Sequence, residues 1–274
     1  TTLPALFLAS DGVPNIGVTF WSLLGGTFAA GGANAFNMVI EAKSDLLMKR
    51  TAKRPIATGE ISRRSGLIFA TAISLLSLVM FYLFTTKLAA LLTFLAIAFY
   101  VFGYTIALKK HTSQNIVWGG IAGCMPVLIG QAAVSNSLTL TSWLFFFLIF
   151  FWTPPHFWAL AVRYREDYAA AGIPMLPVVA PIKNVITQMW FHSLAMVVFS
   201  ILVIWSAELP IWLAGLTLIL IVGWKKQLIK LTRQPTEVNA GKLFQASIVF
   251  LSIYSFLLVI GVLLKLFSNT LMGQ

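Results

Sequence analysis

Nine apolar segments, separated by short polar loops, constrain the fold of this 274-residue chain more than any other feature. A helix needs about 20 mostly apolar residues to cross the hydrocarbon core of a bilayer. Hydrophobic residues make up 59% of the chain and charged residues only 10%, which excludes an ordinary soluble domain. We therefore predict an all-α fold, a polytopic membrane bundle of about nine transmembrane helices. The segments lie at about 1–10, 16–42, 65–86, 88–108, 115–134, 138–162, 186–206, 209–226 and 243–267.

The first segment is too short to span a bilayer, and the chain opens on Thr1 without an initiator methionine. We expect this segment to be the end of a truncated first helix. No soluble domain or internal repeat interrupts the pattern, so residues 1–274 are predicted to form a single integral-membrane domain. The one cysteine, Cys124, lies inside an apolar segment, which excludes a disulfide framework and a thiolate metal site.

Basic residues are distributed very unequally between the two sets of loops. Cytoplasmic loops of membrane proteins carry an excess of lysine and arginine. The loops after the second, fourth, sixth and eighth segments are therefore predicted to face the cytoplasm, in a multi-pass protein of the cytoplasmic (inner) membrane. This placement also accounts for the net charge of +11 without any nucleic-acid partner. Seventeen of the 19 basic residues lie in these loops: Lys43, Lys49, Arg50, Lys53, Arg54, Arg63, Arg64, Lys109, Lys110, Arg163, Arg165, Lys183, Lys225, Lys226, Lys230, Arg233 and Lys242.

An acidic stripe ends the second apolar segment. Asn37, Glu41 and Asp45 are four residues apart, a spacing that places their side chains on one face of a helix. Carboxylate and amide oxygens suit a hard divalent cation. A basic cluster follows directly, with Lys49, Arg50, Lys53 and Arg54. A diphosphate needs both such a cation and such basic side chains, so the pattern predicts an enzyme that acts on a diphosphate at the membrane surface.

A second polar group ends the sixth apolar segment. If its helix continues past Pro154 and Pro155, His156, Arg163 and Asp167 lie on one face. Ionisable groups that border an apolar helix are candidates for function. The alternative is that the charged residues here form a solvated loop surface.

Lys109 and Lys110 end the fourth segment, at the same side of the membrane. By themselves they are typical interfacial anchors. Beside two acidic motifs they become candidates for diphosphate binding.

Three motifs, which together extend over nearly the whole chain, resemble the intramembrane UbiA-type prenyltransferase superfamily. Within it they are most similar to the protohaem IX farnesyltransferases. The resemblance is carried by Asn34-Ala-Phe-Asn37-x3-Glu41-x3-Asp45-x2-Met48-x-Arg50-Thr51-x2-Arg54-Pro55, by Tyr104-Thr-x3-Lys109-Lys110-x-Thr112-x2-Asn115-Ile-Val-x-Gly119-Gly120-x-Ala-Gly123, and by Pro155-His156-Phe-Trp-Ala-Leu with Glu166-Asp167-Tyr168-x3-Gly172-Ile-Pro174-Met-Leu-Pro177.

This resemblance implies nine helices around a central cavity and transfer of a farnesyl group from farnesyl diphosphate to the vinyl group of haem b, giving haem O. It implies Mg²⁺ as cofactor, with Asn37, Glu41 and Asp45 as metal ligands that are also catalytic. Asp167 is expected to be catalytic as well. Phe36, Trp152 and Phe157 are candidates for lining the prenyl channel. The expected diphosphate-binding residues are Arg50, Lys53, Arg54, Lys109 and Lys110.

The second motif departs from the quinone-type members of the superfamily. It has His156 and Arg163 where those enzymes carry an aspartate-rich run, which favours haem as the acceptor because an arginine can pair with a propionate. Glu41 stands where many members carry aspartate, and Lys43 and His111 also depart from the expected pattern. We therefore predict that His156 and Arg163 bind haem, from a helix face opposite the acidic stripe across the cavity.

Two other interpretations remain open from sequence. One is a UbiA-type prenyltransferase with a quinone precursor or another tetrapyrrole as acceptor. The other is an ion-coupled membrane transporter, in which buried acids bind the coupling ion near the midplane. The expected partners of the preferred interpretation are farnesyl diphosphate, haem b and the lipid bilayer, with a downstream haem-modifying enzyme or terminal oxidase.

Overall fold

A computed structural model describes residues 1–272, and the regular elements in that range are all helical. The predicted all-α class is confirmed. The elements, in chain order, are α1 (Thr2–Ser10), α2 (Ile16–Asp45), α3 (Pro55–Thr58), α4 (Arg63–Phe84), α5 (Lys87–Ala98), a π-helical segment (Phe99–Leu108), α6 (Asn115–Ser135), α7 (Leu140–Arg163), α8 (Arg165–Ala170), α9 (Leu176–Val179), α10 (Ile182–Ser206), α11 (Trp212–Arg233) and α12 (Glu237–Met272).

Eight of the described helices are long and apolar enough to cross a membrane, counting α5 and the π-helical segment as one. The chain is a multi-pass membrane protein. The ninth predicted helix is α1, which is only 9 residues long. Several spans extend beyond the apolar runs: α11 continues to Arg233, and α12 begins at Glu237. These polar turns lengthen the helices past the apolar segments from which they were predicted.

Helices α6 and α7 are the most enclosed of the spanning helices. They pack against each other, and α6 also contacts α1 and α5 while α7 contacts α10 and α12. The outer helices expose many large apolar side chains, including Phe102 and Phe191, because lipid rather than water surrounds them. Helices α6 and α7 therefore form the most enclosed part of the described bundle.

Close packing of α2 against α4 depends on small residues. A Cβ atom added to Gly32 would lie 2.1 Å from Oγ of Ser74, and one added to Gly25 would lie 3.0 Å from the Phe81 ring. Ser77 donates a hydrogen bond of 2.7 Å to the Gly25 carbonyl. Gly26 is different, because a Cβ there would meet nothing within 4 Å.

The π-helical segment changes the direction of side chains near the end of the third span. In a π-helix each N–H bonds to the carbonyl five residues earlier, which widens the turn. The Lys109 amide bonds to the Tyr104 carbonyl at 2.9 Å, and the Thr105 hydroxyl to the Tyr100 carbonyl at 2.9 Å. The wider turn directs the side chains of Thr105 and Lys109 towards α2, where they contribute to the site described below.

Helix α7 continues through Pro154 and Pro155 and ends at Arg163. Its end corrects one expectation. Asp167 does not continue the same helix face as His156 and Arg163, because Tyr164 leaves the helical conformation and Asp167 belongs to the short helix α8.

Candidate active site

The acidic stripe of α2 contacts the π-helical segment through a buried hydrogen-bond network. Asn37 Nδ2 donates to Glu41 Oε2 at 2.9 Å and to the Thr105 hydroxyl at 3.2 Å. Asn37 is 6% exposed and Glu41 3%. Four-residue spacing on α2 thus places these two side chains one turn apart, as predicted, and Thr105 fixes the carboxamide from the neighbouring element.

Lys109 neutralises Glu41 in this network. Its Nζ donates to Oε2 of Glu41, and the side chains are 13% and 2% exposed. Burial lowers the pKa of Lys109, while the charge of Glu41 and their hydrogen bond act in the opposite direction. The second carboxylate oxygen, Oε1 of Glu41, is buried and has no hydrogen-bond partner among the described residues. An unpartnered buried oxygen is costly unless water or a bound ion satisfies it.

Asp45 forms the second ion pair. Nη1 of Arg54 donates to both of its carboxylate oxygens, at 2.8 and 3.0 Å. The Asp45 side chain is 1% exposed and that of Arg54 is 30% exposed. Thr51 also bonds to the Asp45 backbone carbonyl at 2.9 Å, which folds the basic loop back onto the end of α2. Each of the two carboxylates is therefore matched with a cation.

A cavity of about 810 Å³ opens beside this network and continues into the bundle. Asn37, Arg54 and Lys109 line one end of it. On α2 its wall extends from Ser22 to Asn37, which corresponds to about 22 Å along the helix axis. Most of the remaining wall is apolar. The site therefore combines a charged end with a long apolar space, and the predicted central cavity is present.

The other predicted basic residues differ in their relation to the cavity. Arg50 lines it, as does Tyr168, and the charge of Arg50 acts to lower the pKa of the Tyr168 phenol. Lys110 is exposed and donates to the Ser44 hydroxyl at 2.6 Å, outside the cavity wall. Lys53 is exposed and is not part of the wall. Arg50, Arg54 and Lys109 are thus brought together, whereas Lys53 and Lys110 remain peripheral.

Asp167 also lies outside the cavity wall. Its neighbour Tyr168 faces the cavity instead, and burial raises the pKa of the Tyr168 phenol, with Arg50 acting in the opposite direction and Asp167 in the same one. Asp167 is half-buried and close enough to Tyr168 to influence its charge. Helix α8 therefore presents the tyrosine, and not the predicted carboxylate, to the cavity.

His156 and Arg163 do not face the acidic stripe across this cavity, which corrects the expected division of the site. On α7 the cavity is lined by Thr153 and Phe157, four residues apart, and by Trp152. His156 precedes Phe157 by one residue, a rotation of about 100° on a helix, which directs it towards α12. Arg163 is exposed at the end of α7. Of the aromatic residues expected along the channel, Trp152 and Phe157 line it, whereas Phe36 does not.

Three residues of the site were not predicted as functional. Thr105 accepts a hydrogen bond from Asn37, Tyr168 lines the cavity close to Arg50, and the Tyr100 hydroxyl donates to Asn34 at 3.3 Å. Thr105 and Tyr168 lie within the motifs of the sequence, and Tyr168 directly follows a residue selected for its charge. Because these three side chains are neutral, the patterns of charged residues in the sequence did not identify them as functional.

The charged end offers oxygen donors of the kind that a hard divalent cation prefers, with Asn37 in the cavity wall and the buried carboxylates of Glu41 and Asp45 behind it. Glu41 offers the unpartnered oxygen Oε1, and Asn37 presents its carboxamide at the cavity wall. Asp45 is nearby, since its charge also acts on Lys109, but both of its oxygens bind Arg54. Mg²⁺ commonly binds through one or two carboxylates and takes its other ligands from water and phosphate. This site therefore suits a cation that a diphosphate helps to coordinate.

Comparison with known proteins places the chain in a family. The model of the UbiA prenyltransferase family matches residues 1–256. The protein named protoheme IX farnesyltransferase of Kineococcus radiotolerans is 46% identical over 243 residues, which are 88% of this chain and 72% of that protein. The protein named protoheme IX farnesyltransferase 1 of Saccharopolyspora erythraea is 44% identical over 257 residues, 92% and 81% of the two chains.

Solved structures share the same fold. The structure of a UbiA homolog from Archaeoglobus fulgidus bound to DMAPP and Mg²⁺ superposes with a TM-score of 0.70, over 94% of each chain, at 19% sequence identity. The match of the family model to most of the chain, the relatives and the shared fold agree with one another. This chain is a member of the UbiA prenyltransferase family.

Proposed function

We propose that the protein transfers the farnesyl group of farnesyl diphosphate to the vinyl group of haem b, with one water molecule adding to the vinyl carbon beside the porphyrin, to form haem O and release diphosphate. The observation that carries the proposal is the charged network of Asn37, Glu41, Asp45, Arg54 and Lys109 at one end of a long apolar cavity. An allylic diphosphate likewise combines a charged diphosphate group with a long apolar chain. The names of the relatives favour haem b as the acceptor.

The diphosphate would bind at the charged end. Arg50, Arg54 and Lys109 line the cavity there and would contact its oxygens, because charged hydrogen bonds to phosphate are strong. Lys53 and Lys110 would add attraction from the loop surface. As the carbon–oxygen bond breaks, negative charge grows on the leaving diphosphate, and these preorganised cations would stabilise it.

Mg²⁺ would be held by Asn37, Glu41 and Asp45. When bound, it would supply further positive charge to the leaving diphosphate. The DMAPP and Mg²⁺ bound to the Archaeoglobus fulgidus homolog support this assignment at the level of the family. For the acceptor we propose His156 and Arg163, and for Asp167 a catalytic role exerted through its neighbour Tyr168, which lines the cavity with Arg50.

The apolar part of the cavity would hold the farnesyl chain. Gly26, Ala30 and Gly123 leave space there, while Trp152 and Phe157 supply aromatic surfaces. Aromatic faces stabilise nearby cations, so these rings would stabilise the allylic carbocation. Exclusion of water by the apolar wall would protect the allylic carbocation until the electron-rich vinyl group attacks. That attack forms the carbon–carbon bond and leaves a cation on the vinyl carbon beside the porphyrin, where a water molecule would then add and lose a proton to give the hydroxyl of haem O.

The orientation follows from the distribution of basic residues. We propose that the loops after α2, the π-helical segment, α7 and α11 face the cytoplasm, and that the protein lies in the cytoplasmic membrane. Haem O would pass to a haem-modifying enzyme or a terminal oxidase.

The direct test is product formation by the purified protein. We expect farnesyl diphosphate and haem b together to give haem O, identified by mass spectrometry, and diphosphate in equal amount. A quinone precursor offered in place of haem b is the control acceptor. Farnesylation of that acceptor, with haem b left unchanged, would contradict the proposal and support a quinone-type enzyme.

Removal of the metal tests the cofactor separately. Exhaustive chelation with EDTA should abolish turnover, and added Mg²⁺ should restore it, because Glu41 retains an oxygen that no described residue satisfies. Full activity in the chelated enzyme would assign the whole task of charge stabilisation to Arg50, Arg54 and Lys109.

A further inference from the structure

Three threonines in the cavity wall satisfy their hydroxyls within their own helices. Thr27, Thr93 and Thr153 each donate a hydrogen bond of 2.7 or 2.8 Å to the backbone carbonyl four residues earlier. A hydroxyl has only one hydrogen to donate, so these three have none left for a ligand. A polar ligand in the apolar part of the cavity must therefore find its hydrogen-bond donors elsewhere in the wall.

Asn34 differs from these threonines. It lines the same cavity, and its carboxamide oxygen accepts a hydrogen bond of 3.3 Å from the hydroxyl of Tyr100, which also lines the cavity. Within residues 1–272 the amide N–H groups of Asn34 have no hydrogen-bond partner, and the amide nitrogen is not among the fully enclosed polar atoms. A polar group inside a membrane protein is costly unless it is hydrogen-bonded. Asn34 and Tyr100 together thus offer donors and acceptors to a small polar ligand.

The pair of Asn34 and Tyr100 lies beside the charged end of the cavity. Asn34 precedes Asn37 by three residues, about 4.5 Å along the axis of α2. Tyr100 is tied to the same place, because the Thr105 hydroxyl donates to the Tyr100 carbonyl and accepts from Asn37. The reacting carbon of an allylic diphosphate is bonded to a diphosphate oxygen. With the diphosphate at the charged end, that carbon lies just inside it, next to Asn34 and Tyr100.

The proposed reaction needs one water molecule at this place. After the vinyl group has attacked, the remaining cation lies only two bonds from the carbon that left the diphosphate. Free solvent in the cavity would capture the allylic cation first and give farnesol. A single water molecule held by the protein supplies the hydroxyl while the rest of the apolar wall stays dry.

We propose that Asn34 and Tyr100 hold the water molecule that completes haem O. The Asn34 amide donates a hydrogen bond to the water oxygen, and the water donates one to the Tyr100 oxygen. The other lone pair of the water oxygen forms the carbon–oxygen bond to the cation. The O–H bond that breaks sends its proton to an oxygen of the released diphosphate. This inference rests on the proposed function and adds the residues that place the nucleophile.

The ratio of two haem products, measured by mass spectrometry, tests the water site. A cation without a held water molecule loses a proton from the neighbouring carbon and becomes an alkene, lighter than haem O by one water. Asn34→Leu and Tyr100→Phe should each raise the ratio of this alkene to haem O by roughly tenfold, as loss of one hydrogen bond does. Thr27→Val is the matched control and should keep the wild-type ratio, because the Thr27 hydroxyl lines the cavity but is bonded within α2.

Farnesyl diphosphate binding and the melting temperature, measured on the same variants, establish that they are folded. A wild-type product ratio in folded Asn34→Leu and Tyr100→Phe proteins would overturn the water site, even if the wild-type enzyme makes haem O. An equal loss of both products, with farnesyl diphosphate still bound, would also overturn it, because the two residues would then act before water adds. A wild-type protein that makes neither product would overturn the proposed function itself. The failures are therefore distinguishable.

Discussion

The walls formed by α2 and by α7 carry polar groups of different kinds. On α2 the buried acids are matched by cations from elsewhere, Glu41 by Lys109 and Asp45 by Arg54. On α7 the buried His156 has only neutral partners, two aromatic rings and a serine. Charges buried in a protein must be paired, whereas a neutral imidazole needs only one hydrogen bond to be held in place.

This difference indicates how two unlike ligands are separated in one bundle. The α2 wall suits a highly charged anion with its cation, because its positive and negative groups are already balanced and close to the membrane surface. The α7 wall offers flat aromatic surfaces and a ring nitrogen, which suit a flat and mostly apolar ligand. Variants on each wall can show whether the two walls act independently.

The largest expected effect is on stability, from breaking the buried pair on the α2 wall. Lys109→Met should lower the free energy of unfolding by about 3–5 kcal/mol, because Glu41 is left as an unpaired buried charge. Lys265→Met is the control, since Lys265 pairs with the exposed Asp11 and should cost about 0–1 kcal/mol. Unfolding in detergent measures the loss of stability in both variants. Equal losses would show that the buried Glu41 pair contributes no more to stability than the exposed Asp11 pair.

The next effect is on catalysis at the same wall. Asp45→Ala should raise the activation free energy by about 2.7–4 kcal/mol, the usual cost of losing one electrostatic contact. Turnover should therefore fall by roughly a hundred- to thousandfold. Asp45→Asn keeps the shape and removes the charge, so it should show a similar loss. Asp11→Asn, in the exposed pair with Lys265, should be neutral. Near-normal turnover of a folded Asp45→Asn enzyme would remove this carboxylate from the mechanism.

A smaller effect concerns the apolar space between the walls. Gly123 lines the cavity, and a Cβ there would meet nothing within 4 Å. Gly123→Leu should lower kcat/KM for farnesyl diphosphate by roughly 10–200-fold relative to a shorter prenyl diphosphate, because it shortens the space. Gly215→Leu is the control, because it adds the same side chain at an equally open glycine that does not line the cavity, and it should leave the chain-length preference unchanged. Unchanged chain-length preference in Gly123→Leu would place the prenyl chain elsewhere.

The helices were predictable because lipid imposes a simple requirement. Each crossing needs a long apolar run, and the eight spanning helices coincide with the predicted segments to within a few residues at most ends. The pairing of Asn37 with Glu41 was predictable for the same kind of reason, since four residues make about one turn. Both features depend only on distances along a single helix.

Features that depend on helix phase and on contacts between helices were not predictable. The sequence offered Lys109 and Lys110 equally, but the phase of the π-helical segment directs only Lys109 to Glu41. Likewise, one residue of rotation on α7 places Phe157 in the cavity wall and directs His156 towards α12. The roles proposed for the site residues remain predictions, and the side chains of Lys53, Lys110 and Asp167 lie outside the cavity wall.

Separate binding of the two ligands to two arginine variants tests the division of the walls most directly. Arg50 lines the charged end of the cavity, and Arg163 lies at the end of α7, close to Gly241 of α12. Both are exposed, and neither forms an ion pair with a described carboxylate. Arg50→Ala should weaken farnesyl diphosphate binding by about 1.5–3 kcal/mol and leave haem b binding unchanged, and Arg163→Ala should do the reverse. If Arg163→Ala instead weakens farnesyl diphosphate binding while haem b binds normally, both walls serve the diphosphate and the separation of the two ligands is contradicted.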